Sequence, residues 1–320
     1  MTSLLTESNG TLTPSSPQLS ISTLTHLGLM KITGEQRHSF IQGQVTTDID
    51  ALGTDDWQWG AHCDPKGKML ASFRAFNQND ALLLLMPKTT LIADLPQLAK
   101  YAVFSQVELA ETNDEYTLLG ISGTQALAWI TEQFGEIVNN ITLIKNTIIL
   151  RDSHRFILVL PDSEAKNIIK DNEELICTKE TWQALEIHSG YPNLDVAHQG
   201  TFVPQMCNLQ AINGISFTKG CYMGQETIAR MKYRGGNKRA LYIISGYTEQ
   251  KVSLESPLEI ALDEQHYRNA GKIIEYVQED NKILLTAVLA NDTKTDAVLR
   301  FQGDLQANLK IQVLPYSLEE

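Results

Sequence analysis

Lys219-Gly220-Cys221-Tyr222-Met223-Gly224-Gln225-Glu226, continued by Thr227-Ile228-Ala229-Arg230, is the stretch that ties the rest of this chain together. A cysteine lies between two glycines, just ahead of a segment that opens a helix. Glycine lets the backbone turn sharply or approach a ligand closely, at an entropic cost. The positive end of a helix, with Lys219 two residues before the thiol, favours the thiolate. The pattern points to a reactive or ligand-facing Cys221. Its rival is a small buried hydrophobe, the common use of a lone cysteine.

Charge sharpens the first reading. Between Lys219 and Arg239 the bases are Lys219, Arg230, Lys232, Arg234, Lys238 and Arg239, and Glu226 is the only acid, in a chain with 38 acids against 26 bases and a net charge of -12. A basic island in an acidic chain predicts a local anionic partner, such as a phosphate, a cofactor tail or an RNA backbone. Exposed amides at Gly235-Gly236 suit an anion as well. The plainer alternative is a solvated basic face.

A chain of 320 residues, 42% apolar and 20% charged, has the composition of a globular protein of two or three domains. Cys63, Cys177, Cys207 and Cys221 lie far apart with no C-x-x-C pair, so neither a disulfide framework nor a zinc-finger or ferredoxin ligand set is expected. A reducing, cytoplasmic compartment follows. The longest apolar run, Ala81 to Met86, is too short to span a bilayer and stops at Pro87. Residues 1–20, rich in Ser, Thr and Pro, are expected to form a disordered tail.

Strands are expected at Leu27–Ile32, Trp57–Ala61, Met69–Phe76, Leu82–Met86, Val107–Ala110, Tyr116–Ile121, Thr147–Leu150 and Phe156–Leu160. Thr33-Gly34-Glu35-Gln36 matches a capping box that opens a helix burying Phe40 and Ile41. Further helices are expected at Thr89–Tyr101, Thr124–Phe134, Ser163–Lys170 and Glu180–Ser189, and Asp64-Pro65-Lys66-Gly67 has turn chemistry. The alternation suggests α+β layers over 21–238, with two related halves but no evident sequence repeat. From 239 to 320, short β-rich runs between polar turns predict a small all-β barrel.

Taken together, these blocks resemble the YgfZ-type folate-binding proteins, relatives of the T-protein (aminomethyltransferase) of the glycine cleavage system. The resemblance runs from about Ile32 to the C-terminus. It rests on Gly43-Gln44-Val45-Thr46-Thr47-Asp48, Ala61-His62-Cys63-Asp64-Pro65-Lys66-Gly67-Lys68, Tyr101-Ala102-Val103-Phe104-Ser105, the Lys219–Glu226 signature and Leu314-Pro315-Tyr316-Ser317-Leu318-Glu319-Glu320. It implies an aminomethyltransferase-like ring of α+β modules with a C-terminal barrel, around a central hole that holds tetrahydrofolate. It also implies a role in maintaining iron–sulfur enzymes, including those that thiolate tRNA. Cys221 is then the functional thiol within Lys219, Gly220, Tyr222, Gly224, Gln225 and Glu226, and Trp182 lies along the folate.

Three departures accompany the resemblance. Ala71-Ser72 stands where aminomethyltransferases carry their catalytic aspartate, so that chemistry lacks its carboxylate. His188 stands where relatives grip the pterin with a carboxylate, and Glu186 is expected to face elsewhere on the helix. Leu27 replaces a second aromatic of the folate site. Lys66, Lys68 and Arg230 are expected to attract the anionic folate tail. The favoured reading is a non-enzymatic or weakly catalytic folate-dependent assembly factor. The alternatives are a one-carbon transferase using Asp48 or Asp64, and an RNA contact through the 230–239 island.

Overall fold

The computed structural model describes residues 3–8, 10–112, 114–263 and 265–318. One sheet has the antiparallel order Trp57–Cys63, Met69–Gln78, Ala81–Pro87, Leu27–Thr33, Glu108–Glu111. A second has the order Ile141–Ile144, Thr147–Asp152, Arg155–Pro161, Tyr116–Ser122, Ser20–Thr23, Ile176–Cys177, and only its last pair is parallel. Apolar faces of both sheets meet in one core around Leu29, Leu83, Leu118, Ile157 and Trp182.

The two sheets are versions of one unit. In each, the fourth strand runs into a glycine at positive φ, Gly34 at 103° and Gly123 at 113°, and then into a helix, Arg37–Gln42 or Ala126–Phe134. In each, the third strand ends at a proline with φ of -54°, which leads directly into Lys88–Ala102 or Asp162–Asp171. A Cβ on Gly34 would lie 2.2 Å from the Gln106 carbonyl oxygen, and one on Gly123 would lie 2.5 Å from that of Gln18. The trace of this duplication in the sequence is small: Gly34-Glu35-Gln36 against Gly123-Thr124-Gln125. The capping box expected at Thr33 does not form. Gln36 is the N-cap without a side-chain cap bond, and its Oε1 instead accepts from the Gln106 amide at 2.7 Å, pinning the neighbouring loop.

From Arg239 the chain forms a closed antiparallel barrel of six strands: Arg239–Tyr247, Leu258–Ala261, Tyr267–Glu279, Lys282–Ala290, Leu299–Phe301 and Asn308–Gln312. Arg239–Tyr247 closes it by pairing with both Lys282–Ala290 and Asn308–Gln312, which leaves no free edge on that strand. The expectation of a disordered tail at 1–20 is corrected. Leu5–Ser8 and Thr11–Pro14 form a hairpin, with Leu5 and Leu12 buried. The Glu279 carboxylate accepts from the Leu4 and Leu5 amides at 2.6 and 3.2 Å, and Gln312 Nε2 donates to the Leu12 carbonyl at 2.7 Å. Two leucines and a barrel carboxylate thus outweigh a polar composition. Met1, Thr2 and Asn9 of that stretch lie outside the described residues, as do Glu319 and Glu320 of the C-terminal block.

Candidate functional site

The Cys221 loop is held from both ends. Gly224 adopts φ of 78° as it leads into the helix Gln225–Arg234. A Cβ there would lie 2.7 Å from Gly67 Cα and 2.7 Å from the Asp64 carbonyl oxygen. Gly67, at φ 76°, sits in the turn that Asp64 organises by accepting from the Lys66 and Lys68 amides, both at 2.9 Å. At the other end, the Lys219 ammonium donates to the Thr47 and Val45 carbonyls at 2.6 and 2.9 Å and to Gln42 Oε1 at 3.2 Å. The Met223 amide donates to the Gly43 carbonyl at 3.0 Å. Burial pulls the Lys219 amine down to about 8, against the opposing pull of Asp48 and Asp50. Lys219, expected to add positive potential at the thiol, is spent on anchoring the loop.

Between these anchors Cys221 is exposed, while its neighbour Tyr222 is buried. A Cβ on Gly220 would meet nothing within 4 Å, so crowding does not explain that glycine. Gln225 Nε2 donates to the Gly220 carbonyl at 3.4 Å, and Glu226 forms an exposed pair with Arg230 at 3.0 Å. Cys63 and Cys207 are buried, and burial pushes both thiols up. Among the described residues, no group of three or more His, Cys, Asp or Glu comes together as a metal site.

A second cluster lies where both sheets, the helix Lys179–His188 and the barrel converge. Arg74 Nη2 donates to both oxygens of Glu186, at 2.9 and 2.7 Å. Arg155 Nη2 lies 2.8 Å from Asp152 and 3.1 Å from Glu186, and the Tyr191 hydroxyl donates to Asp152 at 2.8 Å. Asn193 Nδ2 bridges Glu186 at 3.0 Å and Glu275 at 3.2 Å. Burial opposes ionisation of Asp152 and Glu186, but the Arg155 and Arg74 guanidiniums hold both carboxyls below their ordinary values. Among the described residues Glu275 forms no ion pair, and the pull of Arg74 on its carboxyl is outweighed. Burial and then the Glu186 charge push it up to about 8. Arg74 lies 4.3 Å from the Trp59 ring centroid, and Arg155 lies 4.8 Å from that of Trp182.

Two of the cavities that border this cluster share Tyr191. One, of about 610 Å³, has Arg151, His154, Arg155, His188 and Ser189 in its wall. The other, of about 580 Å³, is walled by Asp48, Asp56, Trp57, Trp59 and Asn213. Both have the size of small-molecule sites. The first offers a folate's benzoylglutamate portion apolar walls at Leu127 and Leu185 and a buried donor, Arg155 Nη1, that has no hydrogen-bond partner among the described residues.

The expected site residues therefore fall into separate places. His188 lines the first cavity, its imidazole held below the ordinary value by burial and then by Arg155. Trp182 is fully buried, with Arg155 over its ring and Gly120 so close that a Cβ there would lie 2.3 Å from the indole. Leu27 belongs to the same core. Neither lines these two cavities, nor do Lys66, Lys68 or Arg230. Lys66 is exposed, and the Lys68 ammonium donates to the Thr201 carbonyl at 3.0 Å. Glu186, expected to face elsewhere, points into the buried cluster. Arg74 and Tyr191 belong to no motif of the sequence. The available signals were an arginine inside the apolar strand Met69–Gln78 and a tyrosine directly after the helix-ending Gly190. Ser72 donates its hydroxyl to the Pro192 carbonyl, and Ala71 is fully buried.

Two duplicated sheet-and-helix units joined to a closed barrel define an aminomethyltransferase-like fold. Aminomethyltransferase T of the glycine cleavage system from Bartonella henselae is similar at a TM-score of 0.66, covering 97% of this chain and 93% of that one, with 13% identity. The chain belongs to the YgfZ family. Residues 237–304 match the family model for the YgfZ beta-barrel domain. The tRNA-modifying protein YgfZ of Yersinia enterocolitica is 40% identical over 321 residues, 97% of this chain and 96% of that protein. Its counterpart in Yersinia pseudotuberculosis is 40% identical over 311 residues, 94% of each.

Proposed function

We propose that this chain is a folate-binding accessory protein that supports iron–sulfur enzymes, among them tRNA-thiolating enzymes, and so supports tRNA modification in the cytoplasm. The role in tRNA modification is the part that the similar Yersinia proteins support most directly. The observation that carries the reading is Cys221 itself: an exposed thiol on a loop pinned at Lys219 and Gly224 and backed by buried Tyr222. Ordering the loop in the free protein lowers the entropic cost of presenting that thiol to a partner. Tetrahydrofolate is assigned to the cavity of Arg155, His188 and Tyr191, where it would supply a reduced heterocycle and a one-carbon carrier. Among the described residues, no helix is long and apolar enough to cross a membrane.

Aminomethyl transfer is disfavoured because Ala71 and Ser72 offer no carboxylate, and the Ser72 hydroxyl is engaged by Pro192. The second reading, a one-carbon transferase, rests on Asp48, which lines the neighbouring cavity and accepts from Gln42 Nε2 at 2.8 Å. A tRNA contact has its support in the exposed Arg230, Arg234, Lys238 and Arg239.

The test is deletion of the gene with profiling of thiolated tRNA nucleosides and iron–sulfur enzyme activities. Wild type restores both, and Cys221→Ala restores neither while melting within about a degree of wild type, as for an exposed site. Full complementation by Cys221→Ala overturns the thiol's role. Turnover of a methylamine-type donor that is lost in Asp48→Asn would favour the transferase reading.

A further inference from the structure

The polarity of the first cavity is opposite to what a pterin requires. The pyrimidine edge of a pterin presents N–H donors and needs an acceptor, ideally a carboxylate. Position 188, where the resemblance places that carboxylate, is a histidine. The two buried carboxylates behind it are already engaged: Glu186 by Arg74, Arg155 and Asn193, and Asp152 by Arg155 and Tyr191. Donors, in contrast, are in surplus. Arg155 is 8% exposed and its Nη1 has no partner among the described residues. The Arg151 side chain donates to the Ser153 carbonyl at 3.4 Å, and among the described ion pairs none involves it. Exposed His154 and His188 complete the rim, and among the described residues Asp152 is the only acid in the wall.

We infer that this cavity takes the anionic end of its ligand, the benzoylglutamate portion of a folate, with the glutamate carboxylates at Arg151 and Arg155 and the benzoyl ring against Leu127 and Leu185. This rests on the reading that a folate occupies the cavity, and it adds the orientation. Arg155 is already paired with Asp152 and Glu186 through Nε and Nη2, but its buried Nη1 has no acceptor among the described residues, and a ligand carboxylate supplies one. The pterin then points away from His188, and that residue need not be an acid.

Isothermal titration of the full chain with tetrahydrofolate, p-aminobenzoyl-L-glutamate and 6-methylpterin distinguishes the possibilities. The expected result is that p-aminobenzoylglutamate competes with tetrahydrofolate, that methylpterin does not, and that Arg151→Ala weakens both anionic ligands about tenfold or more. His154→Glu, at an exposed position, should weaken them too and serves if Arg151→Ala does not fold. Tetrahydrofolate binding that is competed by methylpterin alone, or left unchanged by both variants, overturns the orientation and leaves the folate reading standing. If tetrahydrofolate does not bind but p-aminobenzoylglutamate binds through Arg151, the anionic cavity stands and the folate reading falls. Binding of neither overturns both.

Discussion

Gly67 and Gly224 meet backbone to backbone: a Cβ on Gly224 would lie 2.7 Å from Gly67 Cα. Both hold positive φ, at 76° and 78°, so each is a glycine for two reasons, conformation and space. This contact docks the Cys63–Lys68 turn onto the start of the helix that follows Cys221. Gly224→Ala should therefore cost about 1–3 kcal/mol from backbone strain alone. Gly220→Ala, with open space around it, should cost under about 0.5 kcal/mol. Urea denaturation of the two variants checks this; equal losses would mean that the contact does not set the loop.

Thiol labelling should follow burial. Cys221 is exposed, Cys177 is half-buried, and Cys63 and Cys207 are buried with their thiols pushed up. With a mild alkylating agent near neutral pH, Cys221 should react first and Cys63 and Cys207 only on unfolding. Mass spectrometry of timed samples gives the order. Early labelling of Cys63 would contradict the packing of the turn.

Removing one partner of the Arg74–Glu186 pair should be severe. Both side chains are buried, and Arg74→Met leaves Glu186 with Arg155 as its remaining cation. A cost of about 3–5 kcal/mol is expected for breaking such a pair, and Arg74→Met combined with Glu186→Leu should recover a large part of it. Chemical denaturation of the single and double variants reads both. A mild loss in the single variant would show that water reaches the cluster.

Glu275 makes stability pH-dependent with a defined sign. Its carboxyl titrates at about 8 in the folded protein but near its ordinary value of 4.5 when unfolded. Between those values the folded state binds the extra proton, so this group's contribution to stability falls as pH rises through the window. Glu275→Gln removes the titration. Its stability relative to wild type should improve between pH 5 and pH 8.5, with a slope of at most about 1.4 kcal/mol per pH unit. Thermal or urea unfolding at the two pH values tests it, and a constant difference would rule out the shift.

The fold was largely legible where local chemistry repeats. Period-two apolar runs after Lys238 mark the barrel strands, and Asp64-Pro65-Lys66-Gly67 marks its turn. Legibility ended where a single long-range contact decides. The hairpin at Leu5–Pro14 exists because the barrel's Glu279 and Gln312 satisfy its backbone. Gln36 caps no turn through its side chain because the Gln106 amide claims it. The two related halves share almost no sequence, since a sheet needs only apolar residues at alternate positions and a glycine where φ turns positive.

For the candidate site the division has the same cause. The sequence by itself determined the Cys221 motif, its glycine at 224, the absence of a carboxylate at 71–72 and the histidine at 188, because these are matters of residue identity, whereas the exposure of the thiol came from the structure. Only the tertiary structure decided that Lys219 serves carbonyls and not the thiol, and that Trp182 is a core residue under Arg155. It also decided that Arg74, Asp152, Arg155, Glu186, Tyr191, Asn193 and Glu275 form one buried cluster. Those seven come from both sheets, the helix Lys179–His188, the segment after it and the barrel. A buried charge is tolerable only beside its partner, and which partner lies beside it is settled by how the modules pack, at sequence separations that no local pattern encodes.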